Sequence, residues 1–196
     1  MSRTASRTVR RLATVAASTG LAAVACVGMG ATAHAATPAA SATSIPQCAT
    51  ADLGADFQLQ PNVGDRPETR GAALIMVTNN SKHTCNVRGF IGLGYVDAQG
   101  KHRDATAHRT SYVPVTTITL RPGTTAFAGA NFVSQPTGCP TATAALVTPP
   151  NQTTSIATPF LSAEGGGEKQ NVTLCGESFN ITALAPRASD IGIFNG

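Results

Sequence analysis

Leu74-Ile75-Met76-Val77-Thr78-Asn79-Asn80, Ser81-Lys82-His83-Thr84 and Cys85-Asn86-Val87-Arg88-Gly89-Phe90-Ile91-Gly92-Leu93-Gly94-Tyr95-Val96 are the stretch on which the fold turns. The run 74–78 is almost continuously apolar, which predicts a short strand buried on both faces. Asn79-Asn80-Ser81-Lys82 has the chemistry of a turn. A second strand comes next, opened by Cys85. In it Ile91, Leu93 and Tyr95 share one face, while Gly92 and Gly94 fall on the other and let a neighbour approach closely.

The pattern continues on both sides. Phe57-Gln58-Leu59-Gln60 alternates apolar and polar, as a half-buried strand does. Breakers make 61–67 a loop and Asp97-Ala98-Gln99-Gly100 a turn. The polar stretch 101–111 reads as an exposed loop. Thr116-x-Ile118-x-Leu120 alternates cleanly, and Arg121-Pro122-Gly123 turns the chain. In 125–133, Phe127 takes one face and Ala126, Ala128, Ala130 and Phe132 the other. The strand over 143–148 stops at Pro149-Pro150, 155–160 reads as a short edge strand, and Phe179-x-Ile181-x-Ala183 as the last one. No helical period appears after the leader. The expected fold is all-β, an immunoglobulin-like sandwich of seven to eight strands. The chain has no Trp, so the usual core tryptophan of that architecture is missing.

The first 35 residues read as a secretory signal peptide. Arg3, Arg7, Arg10 and Arg11 make a basic start, 12–30 is apolar and small, and Ala33-His34-Ala35 is a small-x-small cleavage site before Ala36. The Ala/Ser/Thr/Pro stretch 36–47 is a flexible leader. The domain then occupies 48–184, with a tail over 185–196. Cleavage removes four of the fourteen basic residues, leaving ten Lys and Arg against ten Asp and Glu. That near-neutral balance has no basic footprint for nucleic acid. Cys26, behind Ala23-Val24-Ala25, offers the alternative of lipid anchoring at the outer face of the cytoplasmic membrane.

Four cysteines remain after the signal: Cys48, Cys85, Cys139 and Cys175. An even number in an exported chain argues for two disulfides, with three connectivities open. Sequential pairing, Cys48–Cys85 and Cys139–Cys175, is favoured because it closes two loops of similar size. In the chain-entropy account each such loop contributes roughly 3–4 kcal/mol.

The order of these landmarks carries a resemblance. Cys48, the strand ending at Asn79, Cys85 with Gly89-Phe90, the Asp97/Gly100 turn, Leu120-Arg121-Pro122-Gly123, Cys139, Leu146-Val147-Thr148-Pro149-Pro150 and Cys175-Gly176 succeed one another as in a secreted actinobacterial family. The chain resembles the domain of unknown function 4232 over about 48–184. That family often has Pro after the Gly-aromatic pair, where Ile91 stands here. The resemblance implies an extracytoplasmic β-sandwich with paired cysteines and brings no catalytic residue.

Chemistry-bearing residues are few. His102, Asp104 and His108 are a candidate zinc or copper set. Ser111 with His108 or His83 is the candidate nucleophile and base, although no Gly-x-Ser-x-Gly elbow is present. Glu164 and Glu168 flank three glycines, a poor platform for paired carboxylates. Of the two tyrosines, Tyr95 fits a core face and Tyr112 an exposed contact. The leading expectation is therefore a non-catalytic, cofactor-free exported module that binds or spaces an envelope or extracellular ligand. A hydrolase built on 102–111 is the rival. Intact-mass analysis of the exported protein should find Ala36 as the first residue; a chain starting at lipid-modified Cys26 would replace release by anchoring.

Overall fold

Hydrophobic alternation in this chain is that of strands, and strands are what it forms. The computed structural model describes residues 44–61, 70–135, 138–162 and 167–192. Among them, in chain order, are β1 (Leu53–Gln60), β2 (Arg70–Asn79), β3 (Cys85–Arg88), β4 (Gly92–Asp97), β5 (His102–Asp104), β6 (Thr106–Arg109) and β7 (Thr117–Leu120). Then come β8 (Thr125–Val133), β9 (Thr141–Thr148), β10 (Ile156–Ser162), β11 (Lys169–Gln170), β12 (Val172–Thr173) and β13 (Cys175–Ile181). The only helical turns among the described residues are 3-10 turns at Thr50–Asp52 and Ala188–Asp190. None of their helices is long and apolar enough to cross a membrane.

The fold is all-β with two disulfides, but it is not a clear pair of stacked sheets. The main sheet runs β5-β4-β9-β10-β1-β2-β8-β13-β6, with β11 on β10 and β12 on β9; β3 and β7 form a separate pair. Two devices turn this path into a nearly closed, barrel-like wall. The first is β10, expected as an edge strand and found in the middle of the path. Its first half, 156–159, pairs antiparallel with β9, and 160–162 pairs parallel with β1. Pro159 stands at the change of partner, where its lack of an N–H suits a strand leaving one ladder. The second device is 102–109, expected as a loop. It forms β5, on β4 at one end of the path, and β6, on β13 at the other, with Ala105 alone between them. Its outward residues are polar, which hid the strand, while Ala105 and Ala107 pack against the core.

Inward residues of both halves meet in one core. Ala73, Ile75 and Val77 of β2 are buried. Leu74 and Met76, expected to be buried as well, are only half-covered on the outer face. The strand expected to run on from Cys85 breaks at Gly89, whose φ of 111° is open to glycine. Beyond the break Ile91, Leu93 and Tyr95 point inward together. Gly94 permits the close approach foreseen for it: a Cβ there would sit 2.6 Å from the Arg103 carbonyl oxygen. Phe57 and Phe160, opposite each other in the parallel pair, meet edge to face at 5.1 Å, and Phe179 links Phe57 to Phe132. Edge-to-face contacts of this kind add to the burial term.

Cys48 is joined to Cys85 and Cys139 to Cys175, the pairs that loop length favours. Pro46 and Gln47 are already tied to Asn86: the Asn86 N–H donates to the Pro46 carbonyl, and Gln47 bridges Asn86. At the other end, 185–191 packs onto the domain instead of trailing as a tail. Ala185 exchanges backbone hydrogen bonds with Phe127, and Ile191 is buried with Val113, Ala183 and Ala185.

Asn79 closes the turn after β2 and is fully buried. Its Nδ2 donates to the carbonyls of His83 (2.8 Å) and Leu120 (3.0 Å), and its Oδ1 accepts from the N–H and hydroxyl of Ser81. Removing that side chain takes the donor from the Leu120 carbonyl, a buried hydrogen bond, and unties the Ser81 turn. Asn79→Ala should lower unfolding free energy by about 2–3 kcal/mol. Thr119→Ala, which loses an exposed bond to Asn86, should change it by no more than about 0.5 kcal/mol. Equal denaturant midpoints for the two variants would contradict this assignment.

Candidate functional site

Two places on the wall gather polar side chains, and they differ in whether those side chains are already satisfied. The first is a cleft of about 300 Å³ beside the end of β4, lined by Tyr95, Asp97, Arg103, Pro140, Thr141 and Glu177 among others. Asp97 ends β4 and organises the turn to β5. Its Oδ1 accepts from the backbone N–H of Gln99 (3.0 Å) and Lys101 (2.8 Å), and its Oδ2 from Arg103 Nε (2.9 Å). The Lys101 N–H, followed by the Arg103 guanidinium, holds the Asp97 carboxyl below the usual range. Across the cleft, the Tyr95 hydroxyl donates to Glu177 Oε1 at 2.6 Å. Burial and then that bond push the phenol up to about 12.

Glu177 sits there at a conformational cost. Its φ is 46°, left-handed for a non-glycine residue, just after Gly176 at 72°. The register of β13 against β8 shifts between Cys175 and Phe179, and Cys175 is tied to Cys139. A residue held in this region costs of order 1 kcal/mol or more. The bulge and disulfide hold it, and the Tyr95 bond latches β13 to β4 across the wall. The polar groups of this cleft are thus paired, Asp97 with Arg103 and Glu177 with the Tyr95 hydroxyl.

The second place is the outer face formed by β6, β13, β8, β2 and β1. Strand registry aligns His108 with Asn180, Asn180 with Asn131, Asn131 with Ala72, and Ala72 with Gln60. Residues opposite one another share a face, so amides from three strands line up across it. Around them is a groove of about 500 Å³ lined by Arg70, Thr110, Tyr112, Asn131, Val133 and Asn180, with Phe132. Tyr112 is 78% exposed. Its neighbours fix it: the Thr110 N–H donates to the Ile181 carbonyl at 2.8 Å, and Val113 is buried with Ala183 and Ile191. Among the described residues, the side chains of Arg70, Tyr112, Asn131 and Asn180 have no hydrogen-bond or ion-pair partner. A second cleft, of about 320 Å³, adjoins this one and shares Arg70 and Phe132 with it.

The candidate metal set is not brought together. His102 and Asp104 lie on β5 opposite Val96 and Gly94, whereas His108 lies on β6 opposite Asn180. The described residues contain no group of three or more His, Cys, Asp or Glu arranged to hold a metal ion. His83 faces Asp52 at 3.4 Å, and Ser111 makes no side-chain hydrogen bond among the described residues. Glu164 and residues 1–43, with Cys26, Ala35 and Ala36, lie outside the described residues; the backbone carbonyl of Glu168 accepts from the Ser162 N–H. Sequence reading picked out Tyr112 and missed Arg70, Asn131, Asn180 and Glu177. The signal for Asn131 was its place between the inward Ala130 and Phe132.

A family model described as Domain of unknown function (DUF4232) matches residues 48–185. The chain belongs to this family. The DUF4232 match spans both cysteine pairs and all the strands of the domain. No curated protein matches the chain significantly, and no solved structure does.

The Asp97 carboxyl, depressed from an ordinary 3.8, contributes stability that is fully present above that value and is lost as pH falls through its lower folded value. Asp97→Asn keeps an acceptor for the turn but removes the charge facing Arg103. The melting temperature of the wild type should exceed that of the variant at neutral pH, and the gap should narrow as pH falls below 3.8. A gap independent of pH would rule the charge out.

Proposed function

We propose that this protein is an exported, non-catalytic module that binds a ligand at or outside the cell envelope, using the outer groove around Tyr112. The observation that carries the reading is the set of unpartnered polar side chains on rigid strands beside a fixed, exposed tyrosine. In a folded domain polar groups find partners in protein or solvent. A row of them, held by registry next to an aromatic ring, is preorganised for a partner that comes from outside. Export is supported by the signal-like first 35 residues and by two disulfides, which persist in oxidising surroundings. The candidate hydrolase residues give no competing support, since Ser111, His83 and His108 form no hydrogen-bonded set among the described residues.

The test is retention of the exported protein, residues 36–196, on insoluble envelope material from the producing organism. Wild type should co-sediment saturably. The Tyr112→Ala variant, unchanged in melting temperature, should be retained about tenfold more weakly, the loss expected for removing one aromatic anchor. Absence of saturable retention would remove the proposal.

A further inference from the structure

The groove has a chemistry that narrows its ligand, and this narrowing rests on the binding function proposed for it. The two adjoining clefts meet at Arg70 and Phe132. Gln60, Gln170 and Asn171 line one, and Asn131, Asn180 and Thr110 line the other. An amide side chain carries both donors and an acceptor, and a hydroxyl likewise donates and accepts. The hydroxyls are already engaged, Thr110 with the Ile181 carbonyl and Ser134 with Thr173, so it is the amides, set among Leu59, Ala72, Phe132 and Val172, that match a ligand rich in hydroxyls. The clefts reach across β13, β8, β2 and β1, three strand spacings or about 14 Å, which suits an extended strand over a compact small molecule.

Three further features set the class. Tyr112 is the exposed aromatic ring at the groove, and an aromatic face packs against the C–H face of a sugar ring while its hydroxyl stays wet. Arg70 lines both clefts, and among the described residues no Asp or Glu lines either. Arg recognises carboxylate or phosphate bidentately, so an anionic group belongs at the junction. Among the described residues, Val133 is the one large apolar side chain with substantial exposure at the groove besides the Tyr112 ring, too little for acyl chains. We infer that the joined clefts bind an extended glycan strand carrying anionic groups, with Arg70 on the anion, Tyr112 under a sugar ring, and Asn131 and Asn180 on its hydroxyls.

The experiment repeats envelope retention on material first digested exhaustively with protease, and on material first extracted with organic solvent. Retention should survive both treatments, and soluble glycan fragments released from the digested material should compete for it. Arg70→Gln should weaken retention about tenfold, the loss of one charge-assisted contact. Added salt should weaken the wild type more than this variant. Loss on protease digestion would identify a protein partner, and loss on extraction a lipid one. Either result would overturn the glycan while leaving the module intact. No retention on untreated material would instead remove the module itself. Retention that is glycan-dependent yet indifferent to Arg70→Gln and Tyr112→Ala, with both variants folded by their melting temperatures, would overturn the site.

Discussion

A sheet must end somewhere, and its unpaired edges are a liability. In this protein the two ends of a nine-strand path are brought together by the chain itself. The segment 102–109 serves β4 with its first half and β13 with its second, and a single residue, Ala105, makes the passage. The Ala105 N–H donates to the Leu93 carbonyl at 3.3 Å, so even the crossing point is hydrogen-bonded. On the opposite side β10 does the same between β9 and β1. The Tyr95–Glu177 latch and the Phe57–Phe179 contact depend on this near-closure. Each joins residues from strands that are not neighbours in the sheet and that only a curved wall places together.

The parts of the fold legible in the sequence were those where one face is apolar and the period is two. Ile91, Leu93 and Tyr95 could be assigned to the core from their spacing, as could Ala126, Ala128, Ala130 and Phe132. The cysteines could be paired from loop length because each bridge closes a similar span, 37 and 36 residues. The rest was hidden for physical reasons. The segment 102–109 turns only the half-covered Ala105 and Ala107 to the core, and alanine gives little hydrophobic signal. The stretch 155–160 reads as an edge strand, whereas it lies inside the path and changes partner at Pro159. Closure is a property of long-range pairing, such as Phe57 with Phe160, and no local pattern encodes it.

The candidate site was legible only at Tyr112, a large aromatic in a polar stretch. Asn131 and Asn180 lie 49 positions apart in the chain and become neighbours through the register of β8 on β13. Arg70 joins them because β2 begins opposite Val133. These residues stand out against the Tyr95 cleft by contrast. There, Glu177 spends its carboxylate on Tyr95 and Asp97 its own on Arg103. Polar groups that answer one another build structure; those left unanswered on a stiff surface are available to something else.

The two termini of β2 face different worlds. Arg70, at its start, borders the groove, while Asn79, at its end, reaches Leu120, the partner of Cys85, and so adjoins the bridge to Cys48. Ten residues of extended chain separate them, roughly 30 Å. The polypeptide enters the domain through Pro46 and Gln47 at the Asn79 end. The entry of the chain and the Arg70 border of the groove thus lie at opposite ends of one strand, so contact at either leaves the other uncovered.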